Sequence, residues 1–198
     1  MKKTLLLFLA PLLFMACSKS KDAPVTPDDG KPKRIELNIE TLNGYIGQSF
    51  DVVSKTLEKS IIETSTSLGD RNFSVIANFG DHKSLFVNFK ETNKVITQIG
   101  VLYKGEEGGK SIGDPYENDL WYDVLNKVQD TYGESSSRGY IKSSSVRAPA
   151  NNAALIKVIK DNGYRDAAYL ATWNTAKSSI SVFHSALGRF NLDIKATK

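Results

Sequence analysis

The chain reads as an α+β protein in which amphipathic helices pack on an antiparallel meander sheet. Three observations predict this. From Arg34 onward, apolar and polar residues alternate in several short runs, the period of a half-buried strand. Short polar stretches such as ETNK separate consecutive runs, as in a meander. Ahead of each group of strands, apolar residues recur at three- and four-residue spacing, the stripe of a helix that covers a sheet.

Ile35, Leu37 and Ile39 alternate with Glu36, Asn38 and Glu40 and read as a first strand. A helix is predicted from Ser49 to Ser60. Ser49 can cap it, Asp51 suits its first turn, and Phe50, Val53, Leu57 and Ile61 share one face. Phe73, Val75, Ala77 and Phe79 then line one side of a strand, GDHK turns the chain, and strands follow at Ser84 to Lys90 and Val95 to Tyr103. A second helix is predicted from Asp119 to Tyr132, with Trp121, Leu125, Val128 and Tyr132 on one face and Gly133 placed to end it. The serine-rich stretch around Arg138 to Lys142 reads as loop or weak strand, and Asn151 to Asp161 as a short helix stopped by Asn162 and Gly163. Ala168 to Trp173, Ser178 to His184 and Arg189 to Ala196 complete the strands. Residues 35–198 thus form one domain with halves 35–104 and 117–198, each a helix followed by three strands. FDVVSK (Phe50 to Lys55) loosely echoes YDVLNK (Tyr122 to Lys127). Duplication is one origin for that echo, and independent recurrence of the same layering is the other.

The N-terminus reads differently. Lys2 and Lys3 precede an apolar run from Leu5 to Ala16, interrupted by Pro11, and the small Ala16 stands before Cys17. That is the outline of a secretory signal over residues 1–16, well short of the roughly 20 apolar residues a membrane span needs. Cys17 is the single cysteine of the chain, so no intramolecular disulfide can form. Phe14 to Cys17 resembles the lipobox of bacterial lipoproteins: Ala16 and Cys17 match it, while Phe14 stands where Leu is commonest and Met15 is bulkier than usual. The resemblance implies cleavage between Ala16 and Cys17, a diacylglyceryl group on the Cys17 sulfur, and a fatty acyl chain such as palmitate on the new N-terminus. Anchorage to a membrane through buried methylenes, at about 0.8 kcal/mol each, follows from it. An ordinary secreted protein with a cysteine near its cleavage site is the alternative.

Residues 17–34 hold three of the six prolines (Pro24, Pro27 and Pro32), with charges and little to bury, the composition of a tether. By the same lipoprotein resemblance, Ser18 in place of Asp after the cysteine implies the outer membrane, and Lys19 and Lys21 with Asp22 its periplasmic face. Loss of Lys2 and Lys3 on processing leaves 24 basic residues against 22 acidic ones, a net +2. With the two signs interspersed, that balance gives no reason to expect a nucleic-acid partner.

The phrase YIGQSFDVVSKTLE, a glycine-flanked helix start followed by a meander, resembles the repeat of small bacterial envelope proteins of the beta-lactamase-inhibitor-like and outer-membrane-assembly lipoprotein groups. The resemblance covers Tyr45 to Tyr103 and, more loosely, Leu120 to Ala196. The Gly-Pro pair that often ends the helix in those groups is missing here. It implies a protein that binds other proteins and performs no chemistry.

The motifs that suggest chemistry are weak. GEEGGKS, Gly105 to Ser111, has three residues where a phosphate-binding loop needs four before its Gly-Lys pair, and Glu106 and Glu107 would repel phosphate. Glu106, Glu107 and Asp114, with Glu117 and Asp119 nearby, are oxygen donors for a calcium ion, but the spacing of a dedicated calcium loop is absent. His82 reads as a hydrophilic turn residue and His184 as a partly buried strand residue; two histidines alone fall short of a zinc set. Tyr45, Trp121, Tyr122, Tyr132 and Trp173 read first as core and second as a carbohydrate or peptide platform, with Tyr122 and Tyr140 the two to test for exposure.

The expectation is therefore a lipid-anchored envelope protein without cofactor, metal or catalytic residues. It would be a binding module for another envelope protein or for a glycan or peptide. The alternative is a small hydrolase acting on a cell-wall or glycan substrate, with His82 or His184 beside carboxylates in a polar cleft. In the strand Val95 to Tyr103 both faces carry apolar residues: Ile96, Gln98, Gly100 and Leu102 on one, Val95, Thr97, Ile99, Val101 and Tyr103 on the other. One face is expected to pack on the helices bearing Phe50 and Trp121. The other is expected to be covered by the other half of the chain or by another protein.

Overall fold

The computed structural model describes residues 30–67, 69–103, 115–162, 167–185 and 189–197. The expected signal segment with Ala16 and Cys17, most of the expected tether, and the stretch with Glu106, Glu107 and Asp114 lie outside the described residues. What is described is a mixed fold dominated by sheet. In chain order its elements are β1 (Ile35–Glu36), α1 (Ile39–Tyr45), α2 (Phe50–Thr56), β2 (Ile61–Ser67), β3 (Asp70–Phe79), β4 (His82–Thr92), β5 (Val95–Tyr103), α3 (Pro115–Tyr132), β6 (Ser137–Lys142), β7 (Ser145–Arg147), α4 (Asn152–Asn162), β8 (Ala167–Asn174), β9 (Ser178–His184) and β10 (Phe190–Ala196).

The ten strands form one open sheet in the order β1-β3-β4-β5-β10-β9-β8-β6-β7, with β2 also paired to β3. All pairings are antiparallel except the short β1–β3 contact. Two meanders, β3-β4-β5 and β8-β9-β10, meet along their last strands, where Gly100 lies opposite Asp193. The β4–β5 hairpin closes on Asn93 and Lys94, both at positive φ, the geometry that matches strand twist in a two-residue turn.

The local physics corrects several expectations. Asn38 does not continue a strand: its side chain accepts a 2.8 Å hydrogen bond from the Thr41 backbone N–H and caps α1. The second helix stops at Thr56, and a 3₁₀ turn at Glu58–Ser60 leads into β2, so Ile61 starts a strand and does not extend a helical face. Ser49 occupies the N-cap position of α2 but makes no side-chain capping bond. Of the two readings for the stretch around Arg138, the strand is the one formed: β6 turns on Ser143 and Ser144, both at positive φ, into β7. The first half of the domain carries four consecutive strands, β2 to β5, before α3, where three are expected.

Alternation decides which side of the sheet is dry. Val75, Val87, Val101, Leu192, Val182 and Ala171 stand opposite one another strand after strand, as do Phe73, Phe89, Ile99, Ile194, Ile180 and Trp173. All are buried, in one cluster with Leu42, Phe50 and Val53 of α1 and α2 and with Leu120, Trp121, Val124, Leu125 and Val128 of α3. Aromatic contacts join the layers: Phe50 meets Phe73 edge-on at 5.3 Å, and Phe73 stacks on Phe89 at 4.5 Å. Trp173 Nε1 donates to the Gly133 carbonyl at 2.8 Å, just past α3. Asn43 joins three elements, donating to the Tyr132 hydroxyl at 3.2 Å and accepting from Ser178 Oγ at 2.5 Å. No helix among the described residues is long and apolar enough to cross a membrane.

Candidate functional site

On the other side of the sheet most of the described side chains alternate with the buried ones and stay partly exposed. Strand register sorts its side chains into rows running across the strands. One row is Ile76, Phe86, Leu102, Asn191, Phe183 and Leu170, on β3, β4, β5, β10, β9 and β8. It is apolar apart from Asn191. Leu102 and Leu170 are 45% and 40% exposed, and Ile76, Phe86 and Phe183 are half-buried. Strands lie about 4.8 Å apart, so the row is roughly 24 Å long. Beyond it at the sheet edge, Ile141 and Val146 lie opposite each other on β6 and β7, 49% and 76% exposed.

The neighbouring row is small and polar: Glu63, Ser74, Asn88, Gly100, Asp193, Ser181, Thr172 and Ser137. Its members bond among themselves, Asn88 Nδ2 donating to Ser74 Oγ at 3.0 Å and Thr172 Oγ1 lying 3.1 Å from Ser181 Oγ. Asp193 accepts from Gln98 Nε2 at 2.9 Å and pairs with Lys195 Nζ at 2.7 Å, both in the next row along. Lys90, also in that row, pairs with Asp70 at 3.0 Å. Asp193 and Lys90 on this face are thus matched locally, and the apolar row is its dominant feature.

Gly100 makes the middle of the face low. With no side chain between Asn88 and Asp193, the surface sinks into a shallow depression of about 410 Å³ lined by Phe86, Asn88, Lys90, Gln98, Leu102, Asn191 and Asp193. It holds one carboxylate, already engaged by Gln98 and Lys195. A second depression, of about 300 Å³, lies at the β6–β7 hairpin among Tyr140, Lys142, Ser143, Ser145 and Arg147.

The sequence-derived candidates distribute elsewhere. His82 is not a solvated turn residue. It opens β4, is 7% exposed, and its Nε2 lies 2.7 Å from Asp123 Oδ2 on α3, with Phe79 stacked at 6.4 Å. His184 is fully buried on the covered side, 6.2 Å from the Trp121 ring and 6.3 Å from Tyr169. Burial there depresses its pKa to about 4. Burial, and secondarily Tyr140, raises that of Tyr169. The two histidines sit in separate surroundings and line neither depression. Trp121 and Trp173 are core; Tyr45, Tyr122, Tyr132 and Tyr140 pack against it half-buried, and Lys160 Nζ lies 5.3 Å over the Tyr122 ring. Among the described residues no group of His, Cys, Asp or Glu side chains could hold a metal ion.

Of the β5 candidates, Gln98, Gly100 and Leu102 do form part of the open face, while Ile96 does not. A register shift between Lys90 and Glu91 turns Ile96 into the core, fully buried. Near this shift Arg71 ties α2 to the sheet. It pairs with Asp51 at 2.8 Å and with the buried Glu91, and lies 4.4 Å over the Phe50 ring. Those hydrogen bonds, Glu91 first, raise the pKa of its guanidinium. The expectation that the second face of β5 is covered by the other half of the chain is not met, because that half extends the sheet sideways instead of folding over it. Compared with protein family models, with curated proteins and with solved structures, the chain matches none.

Proposed function

We propose that this protein is a lipid-anchored component of a bacterial cell envelope, most simply the periplasmic face of the outer membrane, and that it works as a non-catalytic binding module through the open face of its sheet. Cys17 would be the acylated residue and residues 18–34 the tether, with two helix-and-meander halves making a single platform. The observation that carries the reading is the apolar row Ile76, Phe86, Leu102, Phe183 and Leu170. A partly exposed apolar row, interrupted only by Asn191 and set beside a polar one, is the kind of surface that interaction sites use.

The occupant this face fits is another protein. Sugar platforms use exposed rings with polar edges, and here Trp121 and Trp173 are buried and Tyr45 and Tyr132 pack on the core. The open face offers instead aliphatic and phenyl groups flanked by amides and hydroxyls, to which a partner's apolar stripe and backbone can both bond. Affinity capture from solubilised envelopes tests it. The wild-type chain should retain a partner that the Leu102→Glu/Leu170→Glu double variant loses, with the variant's thermal melt unchanged. Retention of the same proteins by both would remove the open face from the account.

A further inference from the structure

The two long edges of the sheet are built differently. At the β7 edge the strand is short, Ser145–Arg147, ends on an arginine, and is followed two residues later by Pro149. Those are devices that keep a strand edge from pairing with another chain. At the other edge β2 runs for seven residues, Ile61–Ser67, and Glu63 to Ser67 are all exposed. Its sequence there is Glu-Thr-Ser-Thr-Ser: no proline, no lysine, and a single charge at one end. Among the described residues no strand pairs with its outer edge.

That run is self-complementary. In an antiparallel pairing centred on Ser65, Ser65 meets Ser65 of a second copy, Thr64 meets Thr66, and Glu63 meets Ser67. Cross-strand Thr–Thr and Ser–Ser pairs are favourable, and this register sets no like charges opposite. From this edge we propose that the protein forms a two-fold symmetric dimer through β2, joining two ten-stranded sheets into one. The β2–β3 register places Glu63, Ser65 and Ser67 on the open side, opposite Ser74, Asn72 and Asp70. The two-fold axis therefore stands perpendicular to the sheet, and both open faces point the same way. Isologous contacts of this kind are the commonest route to a homodimer. The dimer leaves the apolar row uncovered, so it stands or falls independently of the binding function proposed above.

Directly opposed residues of an antiparallel pair have Cα atoms about 4.5–5.5 Å apart, within reach of a disulfide. In the full chain carrying Cys17→Ser, Ser65→Cys should form a disulfide-linked dimer on mild oxidation. Thr64→Cys alone should not; mixed with Thr66→Cys it should. Ser144→Cys, exposed at the β6–β7 turn, sets the background for random collision. In sedimentation, the Cys17→Ser chain should run as a dimer. Adding Ser65→Lys, which sets two ammonium groups face to face at an exposed position, should weaken that dimer at least tenfold, while the melt taken at a dilution where both chains are monomeric stays unchanged. Cross-linking of Ser65→Cys no better than Ser144→Cys would overturn the proposal, as would a monomeric Cys17→Ser chain or a dimer indifferent to Ser65→Lys.

Discussion

The two sides of this sheet are made from the same strands and differ in what an apolar residue on each is for. On the helix side Val87, Val101, Leu192 and Val182 are fully or almost fully buried, and removing any of them opens a hole in packed material. On the open side Phe86, Leu102, Phe183 and Leu170 keep part of their surface in water, so the fold gains less from them. Apolar residues that contribute less to stability, repeated in one row on β3, β4, β5, β9 and β8, call for an explanation outside the fold. Comparing the sides also separates two kinds of substitution, those that unfold the protein and those that disable it.

The largest contrast should come from the large side chains. Trp173→Ala removes a buried ring and leaves the Gly133 carbonyl without its 2.8 Å donor, and should cost about 3–5 kcal/mol in chemical denaturation. Phe183→Ala on the open side should cost less than half of that; equal costs would erase the distinction.

Next in size is the pH response of the covered side. His184 has a folded-state pKa of about 4 against about 6.5 when unfolded. The unfolded chain therefore binds the proton more readily. The contribution of neutral His184 is fully present above about pH 6.5 and is lost as the pH falls toward 4, on the order of 3 kcal/mol in all. Stability measured between pH 7 and 4 should fall more steeply in the wild type than in His184→Phe. Parallel curves would place the titrating group elsewhere.

Smaller again is the polar tie between α1, α3 and β9. Ser178→Ala leaves Asn43 Oδ1 without its 2.5 Å donor in a buried position, and a loss of about 1–2 kcal/mol is expected from the melt. Smallest of all, Leu170→Ser and Leu102→Ser on the open side should change stability by no more than about 0.5–1 kcal/mol each. A larger loss would mean that these side chains serve the fold.

Much of the sheet was legible because most of its strands keep one dry and one wet side. Phe190, Leu192 and Ile194 alternate with Asn191, Asp193 and Lys195, and the burial of β10 follows that alternation. Where the period was too short or had no dry side, the sequence misled. Seven-residue α1 spans less than two full turns, so its apolar residues looked like the end of an alternating strand. β2 is exposed on both sides over Glu63 to Ser67, so it has no alternation to read; only its β-branched residues hint at a strand. Part of the candidate face was visible in Gln98, Gly100 and Leu102. Its continuation through Phe183 and Leu170 was not, because that part of the row exists only once β5 pairs with β10, a contact between residues far apart in the chain; Phe86 joins Leu102 through the local β4–β5 hairpin. Ile96 was misplaced for a similar reason, since the bulge that turns it inward depends on the register with β4.

If a partner in the envelope covers the open face, as proposed, thiols placed on it will be shielded there and free in the purified protein. Leu102→Cys and Val52→Cys are to be placed separately in the full chain with Cys17 intact; Val52 is 59% exposed on α2. Each variant is labelled with a membrane-permeant maleimide, once as purified protein and once in intact envelopes. Leu102→Cys should react readily when purified and at least several-fold more slowly in envelopes, while Val52→Cys should react equally in both. Equal labelling of Leu102→Cys in the two settings would contradict a covered face.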